Sequence, residues 1–265
     1  MPKASFYNPI KTKDLFWTRL KEPGTPEMRN NLEMNTISCN VQSITPLTAH
    51  VYQILLKPEP ACEFKAGQYL NFVMGDEDKR PFSIASSPGD ELIELQIGAF
   101  SADGWAMQVI DHIKANDVVT IEMPAGNAYL REDSHRPVIL LAGGTGFSYI
   151  KSILGQLVKS QTERPVWVYW GLRDETACYQ LAETKALVKQ LPRAKFFPIV
   201  ENASANWNGR VGKVHEPLME DIFSLEPYDI YLAGRFDMVG FLREEFINKG
   251  ALVEHMYADA FAFIK

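Results

Sequence analysis

Two short strings in the sequence carry residue types at spacings that can do chemistry. The first is Ala142-Gly143-Gly144-Thr145-Gly146-Phe147-Ser148, set between an apolar run at 138–141 and an amphipathic stretch. Glycines there let the backbone approach a pyrophosphate, and the N–H groups and dipole of a helix start favour its negative charge. That chemistry is dinucleotide binding. A ligand-free strand-to-helix turn uses the same glycines, so the string alone leaves both readings open. The second string is Arg80-Pro81-Phe82-Ser83-Ile84-Ala85-Ser86, which supplies a cation, an aromatic ring and a hydroxyl. Arg80 and Ser83 stand three residues apart, so a regular strand turns them to opposite faces. Pro81 is expected to end ladder pairing and to bend the chain. Such a bend would bring the guanidinium to a phosphate or ribityl group while the hydroxyl and backbone meet a flat ring. The other reading is an edge strand with a solvated arginine.

The elements that must position these strings follow from the hydrophobic pattern. Short β-type segments at 37–44, 51–56, 68–74, 81–86, 92–97 and 118–121 are separated by turn signals, which predicts a six-stranded antiparallel barrel. Trp105, Ala106, Val109, Ile110 and Ile113 form an apolar helical stripe that caps one end of it. After Arg136 and Pro137 the pattern alternates between strand and helix. Strands are predicted at 138–142, 166–169, 196–200 and 230–233, and helices at 146–159, 175–190, 216–223 and 238–248. Alternation of that kind implies a doubly wound parallel sheet, which binds ligands beyond the carboxyl ends of its strands. The expected organisation is an extension at 1–33, a barrel domain at 34–135 and an α/β domain at 136–265. The extension, with four prolines and no sustained periodicity, reads as disordered, with a docking peptide built on Phe6, Tyr7, Phe16 and Trp17 as the competing reading.

Composition removes several classes of function. The chain has 265 residues, 46% apolar and 23% charged, which suits two folded domains. A formal net charge of -6 without a basic stripe argues against nucleic acid. Cys39, Cys62 and Cys178 lack metal or iron-sulfur spacing and read as reduced structural thiols, and the five histidines show no ligand spacing, so no metal is expected. The absence of a long apolar run and of a secretory leader predicts a cytoplasmic protein that does not enter a membrane.

Taken in order, the Arg80 string inside a barrel and the Gly143 string inside a parallel sheet resemble the ferredoxin-reductase-like superfamily, and within it the bacterial NAD(P)H-flavin reductases, including the branch that serves luciferase in bioluminescence. The resemblance runs from about 34 to 263. It includes Phe64-Lys65-Ala66-Gly67-Gln68-Tyr69, Tyr169-Trp170-Gly171, Ile230-Tyr231-Leu232-Ala233-Gly234-Arg235-Phe236 and Asp259-Ala260-Phe261-Ala262-Phe263. It implies that Arg80, Pro81, Phe82 and Ser83 line a flavin, with Ser83 beside the reactive ring nitrogen N5. It implies further that Gly143, Gly144, Thr145, Gly146 and Phe147 hold the pyrophosphate of NADH or NADPH. Trp170, Gly171 and Arg173 would approach the adenosine half, Gly234, Arg235 and Phe236 the nicotinamide, and Phe261 and Phe263 the other face of the flavin. Ala233-Gly234-Arg235 stands where much of the superfamily has Cys-Gly-Pro, and clustered iron-sulfur cysteines are absent, so electrons are expected to leave on the flavin.

The implied reaction is hydride transfer from NAD(P)H to free FMN, riboflavin or FAD, for release to a flavin-dependent monooxygenase or for ferric reduction. It needs donor and acceptor stacked at about 3 to 3.5 Å rather than a strong acid or base. A serine hydroxyl suits N5 because it can donate before transfer and accept afterwards. Two competing expectations are a flavoprotein that retains its flavin and passes electrons to a protein partner, and a nucleotide-binding regulatory module. Arg173 would accept a 2′-phosphate and Asp174 a ribose diol, which leaves the choice of nicotinamide open.

Overall fold

A computed structural model describes residues 34–264 of the chain. The expectation for 1–33 lies outside the described residues. The first half forms one antiparallel sheet from β1 (Asn35–Pro46), β2 (Val51–Glu59), β3 (Tyr69–Gly75), β4 (Asp78–Ser83), β5 (Ile93–Gly98) and β6 (Val118–Ala125), in the order β4-β3-β6-β1-β2-β5. A bridge from Ile84 to Leu95 brings the two ends of this order together into a barrel. Its interior is apolar, with Ile54, Leu56, Leu70, Phe72, Leu95 and Ile121 fully buried. Helix α1 (Trp105–Ala115) sets Val109, Ile110 and Ile113 against that core.

The second half is a parallel sheet of β7 (Val138–Gly143), β8 (Val166–Asp174), β9 (Ala194–Asn202), β10 (Arg210–Val211), β11 (Asp229–Ala233) and β12 (Met256–Tyr257), in the order β10-β9-β8-β7-β11-β12. Helices α2 (Phe147–Lys159), α3 (Leu181–Val188), α4 (His215–Asp221) and α5 (Phe236–Asn248) cover its faces. The apolar run of β7 follows from burial on both sides. Val138 and Leu140 belong to the cluster under α2, whereas Ile139 and Leu141 belong to the cluster under α4 and α5. The chain leaves β7 outward through β8 to β10 and then returns to the other side as β11, so the strand order reverses between β7 and β11.

Two local expectations are corrected. Pairing continues through Pro81, which faces Asn71, and the irregularity falls between Val73 and Gly75 instead. At the end of the hydrogen-bonded order, a residue without an N–H is tolerated. The single helix expected at 175–190 is a short turn, Glu175–Ala177, followed by α3, because Gln180 takes a left-handed φ of 53°. The aromatic ending is a tight turn, Asp259–Ala262. The two-residue strands β10 and β12 were not anticipated.

The two sheets belong to one compact unit, and α2 is what joins them. Ser152 Oγ donates to the Ser86 carbonyl at 2.7 Å, and Lys159 Nζ reaches Asp90 at 2.6 Å. Next to Ser152, Lys151 Nζ contacts both oxygens of Glu94 on β5, at 2.5 and 2.6 Å. With Ser148 at 3.5 Å from the Gln96 carbonyl and Gly155 against Ser87, contacts to the barrel fall at 148, 152, 155 and 159, every three to four positions, so one face of α2 lies along the barrel. Gln53 and Gln96 also donate to Glu94. Burial alone would raise the Glu94 pKa, but the Lys151 charge and these hydrogen bonds outweigh it and hold the carboxyl below its ordinary value.

Candidate functional site

The glycine string turns at the point where β7 ends. Gly144 has φ 55°, in the left-handed region, and a Cβ there would meet only open space. Gly146 is constrained differently: its Cβ would lie 2.7 Å from the backbone carbon of Ala233, at the end of β11. The turn Gly144–Gly146 is therefore pressed onto the point where the strand order reverses, and α2 starts directly after it. No side chain caps that start and its first turn holds no acid, so neither a capping side chain nor a carboxylate of that turn competes with an anion there.

Phe147 and Trp170 are both buried, with their rings stacked at 4.0 Å. The Trp170 indole N–H donates to the Gly144 carbonyl at 2.9 Å. Trp170 thus lies beneath the glycine turn and has no surface to offer an adenosine, contrary to the expectation for it. Arg173 is exposed at the end of β8, where its carbonyl accepts from Asn202 Nδ2 at 3.2 Å. Asp174 is turned into its own loop, accepting from the Thr176 N–H at 2.9 Å and hydroxyl at 2.5 Å. Those bonds hold its carboxyl below its ordinary pKa. Past β11, Gly234 leads to Arg235, which is exposed and forks onto Asp237.

On the barrel side, β4 is regular, so Ser83 faces Tyr69 across the ladder and Arg80 faces Phe72. The Ser83 side chain is half-buried and has no hydrogen-bond partner among the described residues. Arg80 is buried and makes four hydrogen bonds: two to Asp78 at 2.8 and 2.6 Å, one to the Trp105 carbonyl at 2.7 Å and one to Gln108 at 2.9 Å. Its guanidinium is thus committed to its own strand and to α1 rather than held out toward a phosphate or ribityl group. Phe82 packs against Trp105 at 5.2 Å.

The two strings meet across β5. Ile84, next to Ser83, bridges Leu95, and a Cβ on Gly98 at the end of β5 would lie 3.0 Å from the Thr145 side chain. Leu95 and Gly98 stand three residue steps apart along the strand, about 10 Å, a span that one dinucleotide covers.

Sequence reasoning passed over Asp259 and Tyr69 as chemical groups. A Cβ on Gly126 would sit 2.9 Å from both Asp259 Oδ1 and the ring of Tyr69, the ladder partner of Ser83, so the two side chains flank the same glycine. Burial pushes the Asp259 carboxyl up to about 7, despite a hydrogen bond from the Ala128 backbone. Only the turn at the chain's end brings it there, and no local spacing signals it. Phe261 packs on the core under α5, with Arg243 above its ring at 5.6 Å, whereas Phe263 is exposed and meets Phe236 edge-on at 6.0 Å, just past β11. Phe263 is the terminal aromatic nearer the β11–α5 turn.

A capped antiparallel barrel joined to a parallel sheet, with a glycine turn at the reversal of strand order, defines a two-lobed nicotinamide-dependent oxidoreductase. Residues 140–244 match the oxidoreductase NAD-binding domain family. Over 236 residues the chain is 48% identical to the NAD(P)H-flavin reductase of Vibrio harveyi, covering 86% of this chain and all of that protein. It is 46% identical to that of Aliivibrio fischeri, covering 86% and 99%. The chain belongs to the NAD(P)H-flavin reductase family. Solved structures share the fold. The ferredoxin reductase in carbazole 1,9a-dioxygenase superposes with a TM-score of 0.78 at 21% identity over 88% of this chain and 71% of that one. The flavohem-like FAD/NAD-binding domain of nitric oxide dioxygenase from Vibrio cholerae gives 0.73 at 19% identity over 83% and 96%.

Proposed function

We propose that the chain reduces free flavin with NAD(P)H, and that flavin enters oxidised and departs reduced. The family's chemistry is hydride transfer from the nicotinamide to the flavin. The observation that carries the reading is the seam itself: Ser83, whose side chain has no hydrogen-bond partner among the described residues, precedes the Ile84 bridge to β5, and the end of the same strand, Gly98, lies against Thr145 of the glycine turn. In this reading 34–135 is the flavin half and 136–265 the nicotinamide half. Gly143 to Phe147 hold the pyrophosphate, Gly234 and Arg235 flank the nicotinamide, and Arg173 stands by the adenosine ribose. Pro81, Phe82 and Ser83 lie along the flavin, with the Ser83 hydroxyl donating to N5 before transfer and accepting from its N–H afterwards. Arg80 supports that strand from within. With its charge balanced by Asp78, it offers the flavin no free guanidinium, so FMN, riboflavin and FAD are accepted through the ring they share.

No helix among the described residues is long and apolar enough to cross a membrane. We place the protein in the cytoplasm, where reduced flavin passes to a flavin-dependent monooxygenase or to ferric complexes. The test is NADH and NADPH oxidation with and without added flavin, on protein passed through gel filtration. Colourless protein that oxidises NAD(P)H only when flavin is supplied is the expected result. Stoichiometric flavin retained on the column, with turnover needing no addition, would replace this reading with that of a flavoprotein serving a protein partner.

A further inference from the structure

We infer that Trp170 is a positioning residue for dinucleotide binding, acting through the peptide between Gly144 and Thr145 and never touching the cofactor. The inference rests on the assignment of 143–147 as the pyrophosphate cradle. Gly144 carries a φ of 55° and open space beside it, so neither a side chain nor packing of its own fixes the orientation of its peptide plane. Two donors fix it instead. One is the Phe147 N–H, which closes the tight turn onto the Gly144 carbonyl. The other is the Trp170 indole N–H at 2.9 Å. A single short turn of this kind has poor hydrogen-bond geometry and does not persist well alone, so the second donor decides the orientation.

A trans peptide sets its carbonyl and its following N–H in opposite directions. A Gly144 carbonyl drawn down onto the indole therefore turns the Thr145 N–H up, away from the sheet and into the crevice. The indole is itself held. Phe147 stacks on it at 4.0 Å, Tyr179 meets it edge-on at 5.0 Å, and the ring is entirely buried. The aromatic group under the turn thus fixes the direction of a backbone donor above it.

The test compares Trp170→Phe with replacement of Trp170 by β-(3-benzothienyl)alanine, which keeps the fused ring and exchanges the N–H for sulfur. Binding of ADP-ribose, which carries the pyrophosphate, and of AMP, which does not, is measured by calorimetry on the parent protein and both variants. Both variants should bind ADP-ribose roughly five- to tenfold more weakly, the effect of one hydrogen bond, with AMP unaffected. In turnover, KM for NAD(P)H should rise while KM for flavin and kcat hold. Parent-like ADP-ribose affinity in the benzothienyl variant would overturn the inference, because that variant preserves packing and lacks only the donor. A parent protein that binds ADP-ribose no better than AMP would instead remove the cradle assignment on which the inference rests, and the inference with it.

Discussion

Replacing Lys151 with Met tests how far the seam depends on a single charge pair. Lys151 and Glu94 are 16% and 12% exposed, and Glu94 sits among Gln53, Gln96 and Gln180. Removing one member of a buried pair costs about 3 to 5 kcal/mol because the other charge is left uncompensated. The glutamine donors remain, so a loss of about 2 to 3 kcal/mol is expected at pH 8, or roughly 5 to 10 °C in Tm for a chain of this size. The pH dependence gives the sharper readout. In the parent, Glu94 is held below its ordinary pKa, so its stabilising contribution is present above the unfolded value and lost as pH falls through the folded one. Without Lys151, burial dominates and raises the folded pKa above the unfolded value. The variant should therefore recover stability on acidification from pH 8 to 5, the opposite slope to the parent's Glu94 contribution. Adding Glu94→Gln should restore most of the loss and flatten the slope. Thermal melts of parent, single and double variants at pH 5, 6.5 and 8 measure this. A single variant that melts like the parent at pH 8, or loses the same amount at every pH, would refute the reasoning.

Ser83→Ala should lower kcat by roughly ten- to a hundredfold, at or below the low end for a single positioned donor, with affinity for NAD(P)H unchanged. Ser83→Thr should recover part of the rate in steady-state assays with saturating NAD(P)H. Asp259, pushed up to about 7 by burial, makes the folded protein bind a proton that the unfolded chain releases. Its contribution to stability should thus decline as pH rises from about 4 through 7 and level off above that. Asp259→Asn should remove that decline and melt higher than the parent at pH 8. Gly146→Ala forces a methyl to 2.7 Å from the Ala233 backbone, which cannot swing aside as a side chain would. It should cost about 1 to 3 kcal/mol in denaturant titrations and weaken NAD(P)H in the same protein, while flavin binding survives.

The parallel sheet was legible because β7 is buried on both faces, and five apolar residues in a row admit few other readings. The glycine turn was legible because the left-handed φ of 55° at Gly144 favours glycine and the close approach at Gly146 excludes a side chain. Pro81 misled because a proline forbidden inside a sheet is harmless at its edge, and position in the sheet is a tertiary fact. The segment at 175–190 kept an apolar spacing compatible with one helix, and only Asp174 capping Thr176 and the left-handed Gln180 divide it. Trp170 was read as a ligand contact because it stands near the end of a strand, where ligands bind. Its indole instead points under the turn, toward partners at 144 and 147. Lys151 pairs with Glu94 across 57 residues, and Asp259 meets the surroundings of Gly126 from more than 100 residues away, separations that no local window holds.

Helix α2 begins at the cradle and lies along the barrel for its whole length, so it belongs equally to both halves. Neither half can expose its share of that helix without opening the other. The amides of α2 should accordingly exchange with solvent only through global unfolding, among the slowest in the protein. The two sheets should melt in one cooperative transition, and a cut near residue 136 should yield no fragment that folds alone. On such a frame a catalytic cycle is expected to run without a swing of one domain over the other, with ligands entering and leaving between halves that stay in register.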